Sequence, residues 1–464
     1  MTPPLPKERV LSTMNQDGTR RWIHPRLAHG RFLRWRQIVG YALIALFVAL
    51  PFIRIGGRPA LLLDLLTREL SLFGAVFRPS DGFLLMLLGL TIVLAVFLVT
   101  ALFGRVWCGW GCPQTIYLEH VFRPIERWLE GSSAQRRNLD EARGLSVRRI
   151  IKWAIYVVLS FVLSNVFLAY FVGVDRLVLW VFDSPMQHVG GFSVVTGVAA
   201  LMLFDFAYFR EQTCIVACPY GRLQSVLLDR QSLIVGYDAN RGEPRGKPKK
   251  KLPVLGERGD CIACNACVAV CPTGIDIRDG LQMECIGCAQ CIDACDDVMD
   301  RVGKPRGLIG YTSQDQLAGK RRRLLRPRTF VYPVLLVVTA GLLVWSGGRG
   351  ATTNVWVERI QGPAFVELPD GKISSQARIK LENGSDELRS YVIELSNAQD
   401  AALRAPQLTW QVKAHGATEI PLFVDVPRAS FVRGKRVVHL RVHDDRGFAR
   451  IVQLTLLGPE GGPP

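Results

Sequence analysis

Five stretches of this chain, residues 38–53, 83–103, 150–172, 189–209 and 329–345, are apolar enough to span a lipid bilayer. A span takes ~20 mostly apolar residues. Lipid offers the backbone no hydrogen-bond partner, so each span must be a helix. The first and last are short, but flanking Arg side chains can reach the headgroups with their charged ends. Five separate runs with charged flanks are not the pattern of buried helices in a soluble protein. Hydrophobic residues make up 49% of the 464, which excludes a disordered chain and a small disulfide scaffold.

The basic residues set an expected orientation. Residues 1–37 carry 8 basic and 2 acidic side chains, residues 105–152 carry 9 and 5, and residues 210–328 carry 20 and 14. Loop 54–82 carries 4 and 3, and loop 174–188 carries 1 and 2. Lys/Arg-rich segments stay cytoplasmic. The N terminus, the 105–152 loop and the 210–328 region are therefore expected inside, and the tail outside. The net charge of +17 is then a matter of topology, which disfavours a nucleic-acid partner. The first apolar run starts late and lacks a small-residue cleavage site, so no cleavable signal peptide is expected.

The expected organisation is a multi-domain membrane protein in five parts. A basic cytoplasmic segment, 1–37, precedes a four-helix membrane domain, 38–229. A cytoplasmic ferredoxin-like α+β domain with basic linkers occupies 230–328, a fifth transmembrane helix 329–346, and an exported immunoglobulin-like β-sandwich 347–464. Residues 241–251 read as a solvated linker and 320–328 as a topogenic anchor. Residues 61–77 are apolar with Asp64, Arg68 and Glu69 interspersed, which suggests an interfacial amphipathic helix. The tail alternates with period two in about seven short runs (365–368, 376–381, 391–395, 408–412, 419–426, 436–443 and 448–456), the pattern of a β-sandwich. Asn383-Gly384 reads as a hairpin dipeptide. His415, His439 and His443 read as ordinary histidines rather than a copper site.

All 12 cysteines fall between Cys108 and Cys295, on the side expected to be reducing. Eight form two runs, Cys261-x2-Cys264-x2-Cys267-x3-Cys271-Pro272 and Cys285-x2-Cys288-x2-Cys291-x3-Cys295. This is the spacing of bacterial two-cluster ferredoxins, in which the fourth Cys of each run serves the other cluster. One 4Fe–4S cluster would use Cys261, Cys264, Cys267 and Cys295. The other would use Cys285, Cys288, Cys291 and Cys271. Zinc modules rarely repeat this spacing. The second run ends in Asp296 where such runs usually have Pro. That changes a turn rather than a ligand, and the charge of Asp296 and Asp297 would lower a cluster potential.

The remaining four cysteines close the second and fourth spans as Cys108-x3-Cys112-Pro113 and Cys214-x3-Cys218-Pro219. Spans one–two and three–four thus look like duplicated hairpins, each carrying a dithiol. A spacing of four places both sulfurs on one helical face, but the following proline disfavours α geometry at the second Cys, so each motif should end its helix. Three roles stay open: a shared four-thiolate site for a third cluster or a soft metal, two dithiol redox pairs, or inert buried thiols. Asp205, within the fourth span, is either functional or snorkels to the surface.

With the W-C-G-W-G-C-P and C-I-V-A-C-P-Y-G motifs, the cassette, a fifth span and a β tail, the chain resembles the CcoG (FixG/RdxA) family over nearly its whole length. These are iron–sulfur accessory proteins of cbb3-type cytochrome oxidase. The resemblance implies a multi-pass protein of the bacterial inner membrane with a periplasmic C-terminal domain. It further implies copper delivery to the oxidase, as a cupric reductase making Cu(I), with an unidentified electron donor, copper-delivery partners and a homodimer as one option. Cys108, Cys112, Cys214 and Cys218 would then be the catalytic thiols. No Met-rich or His-rich copper box accompanies them. The alternatives are a quinol-oxidising electron-transfer subunit resembling NapH and a non-catalytic assembly scaffold with structural clusters.

Overall fold

The protein is described from a computed structural model over residues 9–15, 17, 19–65, 67–77, 82–142, 146–246, 259–321, 326–347, 353–360, 362–385, 387–398, 400–413 and 416–459. His415, residues 247–251 of the linker and residues 322–325 of the basic run lie outside them. Among the described residues five helices are long and apolar enough to cross a membrane: Arg31–Phe52, Gly82–Phe103, Val147–Val172, Val189–Phe209 and Thr329–Gly347. The third is capped by Ser146, whose hydroxyl accepts from Arg149 N, and ends at Gly173, whose φ is 85°. It packs on the fourth, and Ser164 Oγ donates to Val195 O at 2.7 Å. It also meets the first, where Tyr170 OH donates to Phe47 O at 2.6 Å.

The first helix starts at Arg31, earlier than its hydropathy predicts. Its N-terminal amides find a partner far away in sequence. Asp293 accepts from Phe32 N at 3.2 Å and from Leu33 N at 2.8 Å. A carboxylate is stabilising at this positive helix end.

Residues 61–77 correct the helix expectation. They form a three-stranded antiparallel meander, Leu61–Asp64, Glu69–Leu72 and Ala75–Phe77. Phe73 and Gly74, with φ of 48° and 90°, make a two-residue turn that pairs Leu72 with Ala75. Positive φ at both central positions matches strand twist, and the residue pair Phe-Gly hides that signal because Asn or Gly normally fills the first place. Asp64 is held by Arg176 at 3.1 Å.

Between the fourth and fifth spans lies the cysteine cassette. Two short strands, Ile234–Tyr237 and Ile309–Thr312, pair antiparallel at its base. Its longest helix, Gln290–Arg301, buries Ile292, Cys295 and Met299 against Val235, Tyr237, Leu308 and Ile309.

Residues 1–340 and 341–464 form two compact units. The second holds two antiparallel sheets. One orders Asn354–Arg359, Lys372–Glu382, Ala417–Pro427 and Ala402–Arg404, with Val366–Glu367 also paired to Lys372–Glu382. The other orders Thr409–Val412, Arg389–Leu395, Lys435–Asp444 and Ala449–Leu457. Ile379, Leu381, Leu422 and Val424 from the first sheet share a core with Tyr391, Ile393, Leu440 and Val442 from the second. Strands Asn354–Arg359 and Ala402–Arg404 escaped the period-two reading, the second through its shortness.

Asn383-Gly384 is not a hairpin turn. Lys372–Glu382 pairs with Ala417–Pro427, and the chain after Asn383 crosses to the other sheet. Asn383 fastens that crossing. Its fully buried amide donates to Glu387 O, Val412 O and Lys413 O at 2.7, 3.0 and 3.1 Å. Its Oδ1 accepts from Tyr391 OH at 3.2 Å. Asn383→Ala leaves these buried groups unpaired and should destabilise the sandwich by about 2 kcal/mol. Limited proteolysis of the full chain in detergent should then clip the tail faster while sparing the membrane helices.

Candidate metal centres

All twelve thiols are free. Eight of them surround two cavities in the cassette. Cys261, Cys264, Cys267 and Cys295 line one. Cys271, Cys285, Cys288 and Cys291 line another, which Cys267 also borders. The four thiols around each cavity match the ligand set of one 4Fe–4S cluster.

The loops curl around these cavities by the same device twice. Ala263 and Asn265 have φ of 52° and 58°, and at the equivalent positions of the second run Gly287 and Ala289 have 67° and 62°. Left-handed backbone at non-glycine residues is strained and persists where the surroundings over-determine it. Burial pushes the Cys267 thiol up to about 11 and those of Cys285 and Cys295 up to about 12. Such thiols stay protonated at neutral pH unless a metal displaces the proton.

Asp296 now has a structural reason. Pro272 follows a four-residue helix that has already ended at Ala269. Asp296 lies inside Gln290–Arg301, where proline would break the helix. Its carboxylate accepts from Gly307 N at 3.0 Å instead.

The two C-x3-C-P motifs are built alike. Cys112 and Cys218 are extended (φ −67°, ψ 126° and φ −70°, ψ 111°), and each starts a new helix with proline in its first turn. Cys112 N donates to Trp107 O at 2.9 Å and Cys218 N to Thr213 O at 2.8 Å, a wide turn spanning five residues in both. In both motifs helical structure has stopped before the second Cys, as the proline predicts: one helix ends at Trp110 and the other at Ala217. The first span packs on the segment after Cys112 and on the third span, through Phe47 with Tyr117 and Tyr170.

The motifs are nonetheless brought together. Cys108 Sγ donates to Gln224 Oε1, on the helix after Cys218, at 3.1 Å. Asp205 bridges the pair, accepting from Gln114 Nε2 at 3.1 Å and from Thr213 Oγ1. It is therefore a partnered group joining the two motifs. Burial pushes Cys108 up to about 11 and Cys214 up to about 12, and thiols of both motifs add to each shift. Cys112 is raised by burial and by Cys218 and Asp205.

The cassette seats directly on the first motif. A Cβ added at Gly109 would lie 2.7 Å from Cys288 Cα and 2.7 Å from Ile286 O, so only glycine permits the approach. Arg36 Nε donates to Gly109 O at 3.0 Å. Trp110 Nε1 donates to Tyr311 OH at 2.9 Å, and that hydroxyl donates to Gly287 O at 2.7 Å. Arg105 donates to Gln224 Oε1, Gly221 O and Met283 O, linking both motifs to the cassette. Arg123, fully buried, pairs with Glu119 and Glu211 and donates to Pro272 O at 3.3 Å. Sequence reasoning missed these residues. Arg34 and Arg36 at the mouth of an apolar span, and glycine between two motif residues, were the available signals.

Family models match three parts of the chain. A 4Fe-4S dicluster domain covers residues 209–314, a 4Fe-4S binding domain covers 85–131, and the IG-like fold at the C-terminus of FixG covers 343–459. The first match contains the cassette with Cys214 and Cys218, and the second contains Cys108 and Cys112. The chain is 36% identical to protein RdxB of Cereibacter sphaeroides across 82% of its own length and 83% of that protein. It is 34% identical to RdxA of the same organism, across 95% of both chains. It is 33% identical to the nitrogen fixation protein FixG of Rhizobium meliloti, across 93% of this chain and 92% of that one.

A dithiol exchange site works through an ionised attacking thiol. Raised thiols oppose that at neutral pH. In metal-free protein, alkylation of Cys108 and Cys214 by iodoacetamide should be slow at pH 7. It should rise about tenfold per pH unit towards about 11 as the thiolate fraction grows. Fast labelling at pH 7, followed by mass spectrometry, would favour the dithiol role.

Proposed function

The chain belongs to the FixG and RdxA family of membrane iron–sulfur proteins, and on that premise we propose that it is a cupric reductase whose four membrane-edge thiols receive Cu(II) and release Cu(I). In this reading Cys261, Cys264, Cys267 and Cys295 hold one 4Fe–4S cluster and Cys271, Cys285, Cys288 and Cys291 the other. The clusters, when bound, supply single electrons, which is the stoichiometry of Cu(II) + e⁻ → Cu(I). The electron comes from a low-potential one-electron donor. Thiolates at Cys108, Cys112, Cys214 and Cys218 favour the soft product ion.

One observation carries the reading: the backbone of Gly109, beside Cys108, touches that of Cys288. A proposed cluster ligand and a proposed copper ligand are thereby neighbours across a contact that no side chain separates. Arg105 and Asp205 hold both motifs in that place. A second reading, a third cluster on the four thiols, draws support from the 4Fe-4S description of the model matching residues 85–131. The Lys/Arg bias supports a cytoplasmic cassette, an inner-membrane location and an exported tail. The RdxA, RdxB and FixG relatives fit an oxidase-related setting, and copper supply to that oxidase is part of this proposal.

Anaerobically prepared protein should contain about eight irons per chain from the cassette. Cys264→Ala and Cys288→Ala should each remove mainly one of two EPR signals. Stoichiometric zinc without iron would defeat the cluster assignment.

Cu(I) formation can be followed with a Cu(I)-specific chelator in anaerobic membranes supplied with a reduced low-potential donor. Replacing Cys108, Cys112, Cys214 and Cys218 together by Ser should abolish it while leaving the cassette signals. Each single variant should cost nearly as much, because the thiols act as a unit. Gly109→Ala should slow the reaction with iron content unchanged. Full activity in the fourfold variant would place copper reduction elsewhere, and reduction of quinone but never Cu(II) would favour the quinol-linked reading.

A further inference from the structure

Arg36 is a deeply buried cation outside the ion pairs described above. It sits near the start of the first membrane helix and is 1% exposed. Its Nε is satisfied by Gly109 O at 3.0 Å. Its Nη1 donates to Gln290 at 2.7 Å when that amide is oriented to satisfy both its ends, the other end donating to Val270 O at 3.2 Å. Its Nη2 is buried with no partner. Among the described residues no carboxylate forms an ion pair with it; Glu119, whose charge it helps to stabilise, is paired with Arg123. A buried guanidinium with an Nη2 that no group accepts from leaves room for a further anionic acceptor.

The neighbouring cavity would supply one. The glycine whose carbonyl Arg36 grips abuts Cys288, and Gln290 lies between Cys288 and Cys291. A 4Fe–4S cluster with four thiolates is anionic and gains one negative charge on reduction. Cluster potentials follow net charge and hydrogen bonds to sulfur. The other cavity differs: its nearby cation, Arg278, is neutralised by Asp276 at 2.6 Å, and Cys264 there is exposed.

We propose that Arg36 donates through Nη2 to a sulfur of the cluster held by Cys271, Cys285, Cys288 and Cys291, and raises the potential of that cluster alone. The membrane span, rather than the cassette, would thus tune the cluster nearest the Cys108 motif. This rests on the cluster reading above, with electrons from the same low-potential one-electron donor.

The test is an EPR-monitored redox titration of the full-length protein, reconstituted anaerobically in detergent, with signals assigned by Cys288→Ala and Cys264→Ala. Arg36→Gln should lower the midpoint of the signal that Cys288→Ala removes and leave the other unmoved. Arg36→Lys, which keeps the charge, should shift it less. Unchanged midpoints in Arg36→Gln, or equal shifts of both clusters, would overturn the proposal. Should Arg36→Gln lose its iron, wild-type protein carrying 15N-arginine gives an independent answer. Pulsed EPR should show a nitrogen coupling on that cluster that Arg36→Lys removes, and its absence overturns the proposal. Wild-type protein without iron would overturn both this and the cluster reading, whereas two intact signals with no Arg36 dependence would overturn only this.

Discussion

The seat of the cassette on the membrane-edge motif is a contact between two backbones, Gly109 on one side and Ile286 to Cys288 on the other. Everything else at this junction serves that approach. Asp293 caps the first span, Arg36 grips the Gly109 carbonyl, and Tyr311 ties Trp110 to Gly287. Removing the side chain at position 109 makes the approach possible, and the surrounding polar groups fix its register.

That junction is expensive. Arg123, Glu126, Arg136, Arg210 and Glu211 are all buried, in ion pairs of Arg210 with Glu126 at 2.7 Å, Arg136 with Glu126 at 3.2 Å and Arg123 with Glu211 at 3.2 Å. Desolvating such charges can outweigh their attraction, so they are poor evidence for added stability. Their geometry does impose one relative placement of Phe122–Glu130, the exit of the fourth span and the cassette. Apolar packing alone would tolerate sliding between these parts, whereas a misaligned ion network leaves charges unpaired.

Much of the architecture was legible because its signals are local. Hydropathy located all five spans, period-two alternation located most sandwich strands, and Pro113 and Pro219 marked where each motif ends its helix. The failures share a cause. Residues 61–77 form a meander because Phe73-Gly74 adopts a turn that its composition conceals. Asn383-Gly384 looked like a hairpin because its dipeptide is common there, but the strand partner was chosen by the core of the other sheet. Arg36, Arg105, Asp293 and Gln224 matter through partners seventy to more than two hundred and fifty residues away. No window of sequence contains both halves of such a contact.

The strand pair at the base of the cassette has one more consequence. Ile234–Tyr237 and Ile309–Thr312 are zipped over their full length, so the chain leaves and re-enters the membrane region at nearly one point. The cassette is therefore an insertion with a closed neck. Lengthening or shortening a loop inside it that makes no contact with the membrane helices costs only the slowly growing entropy of loop closure. A redox module of this kind can be exchanged between membrane scaffolds as a cartridge, provided the receiving scaffold offers a glycine where the cassette must land.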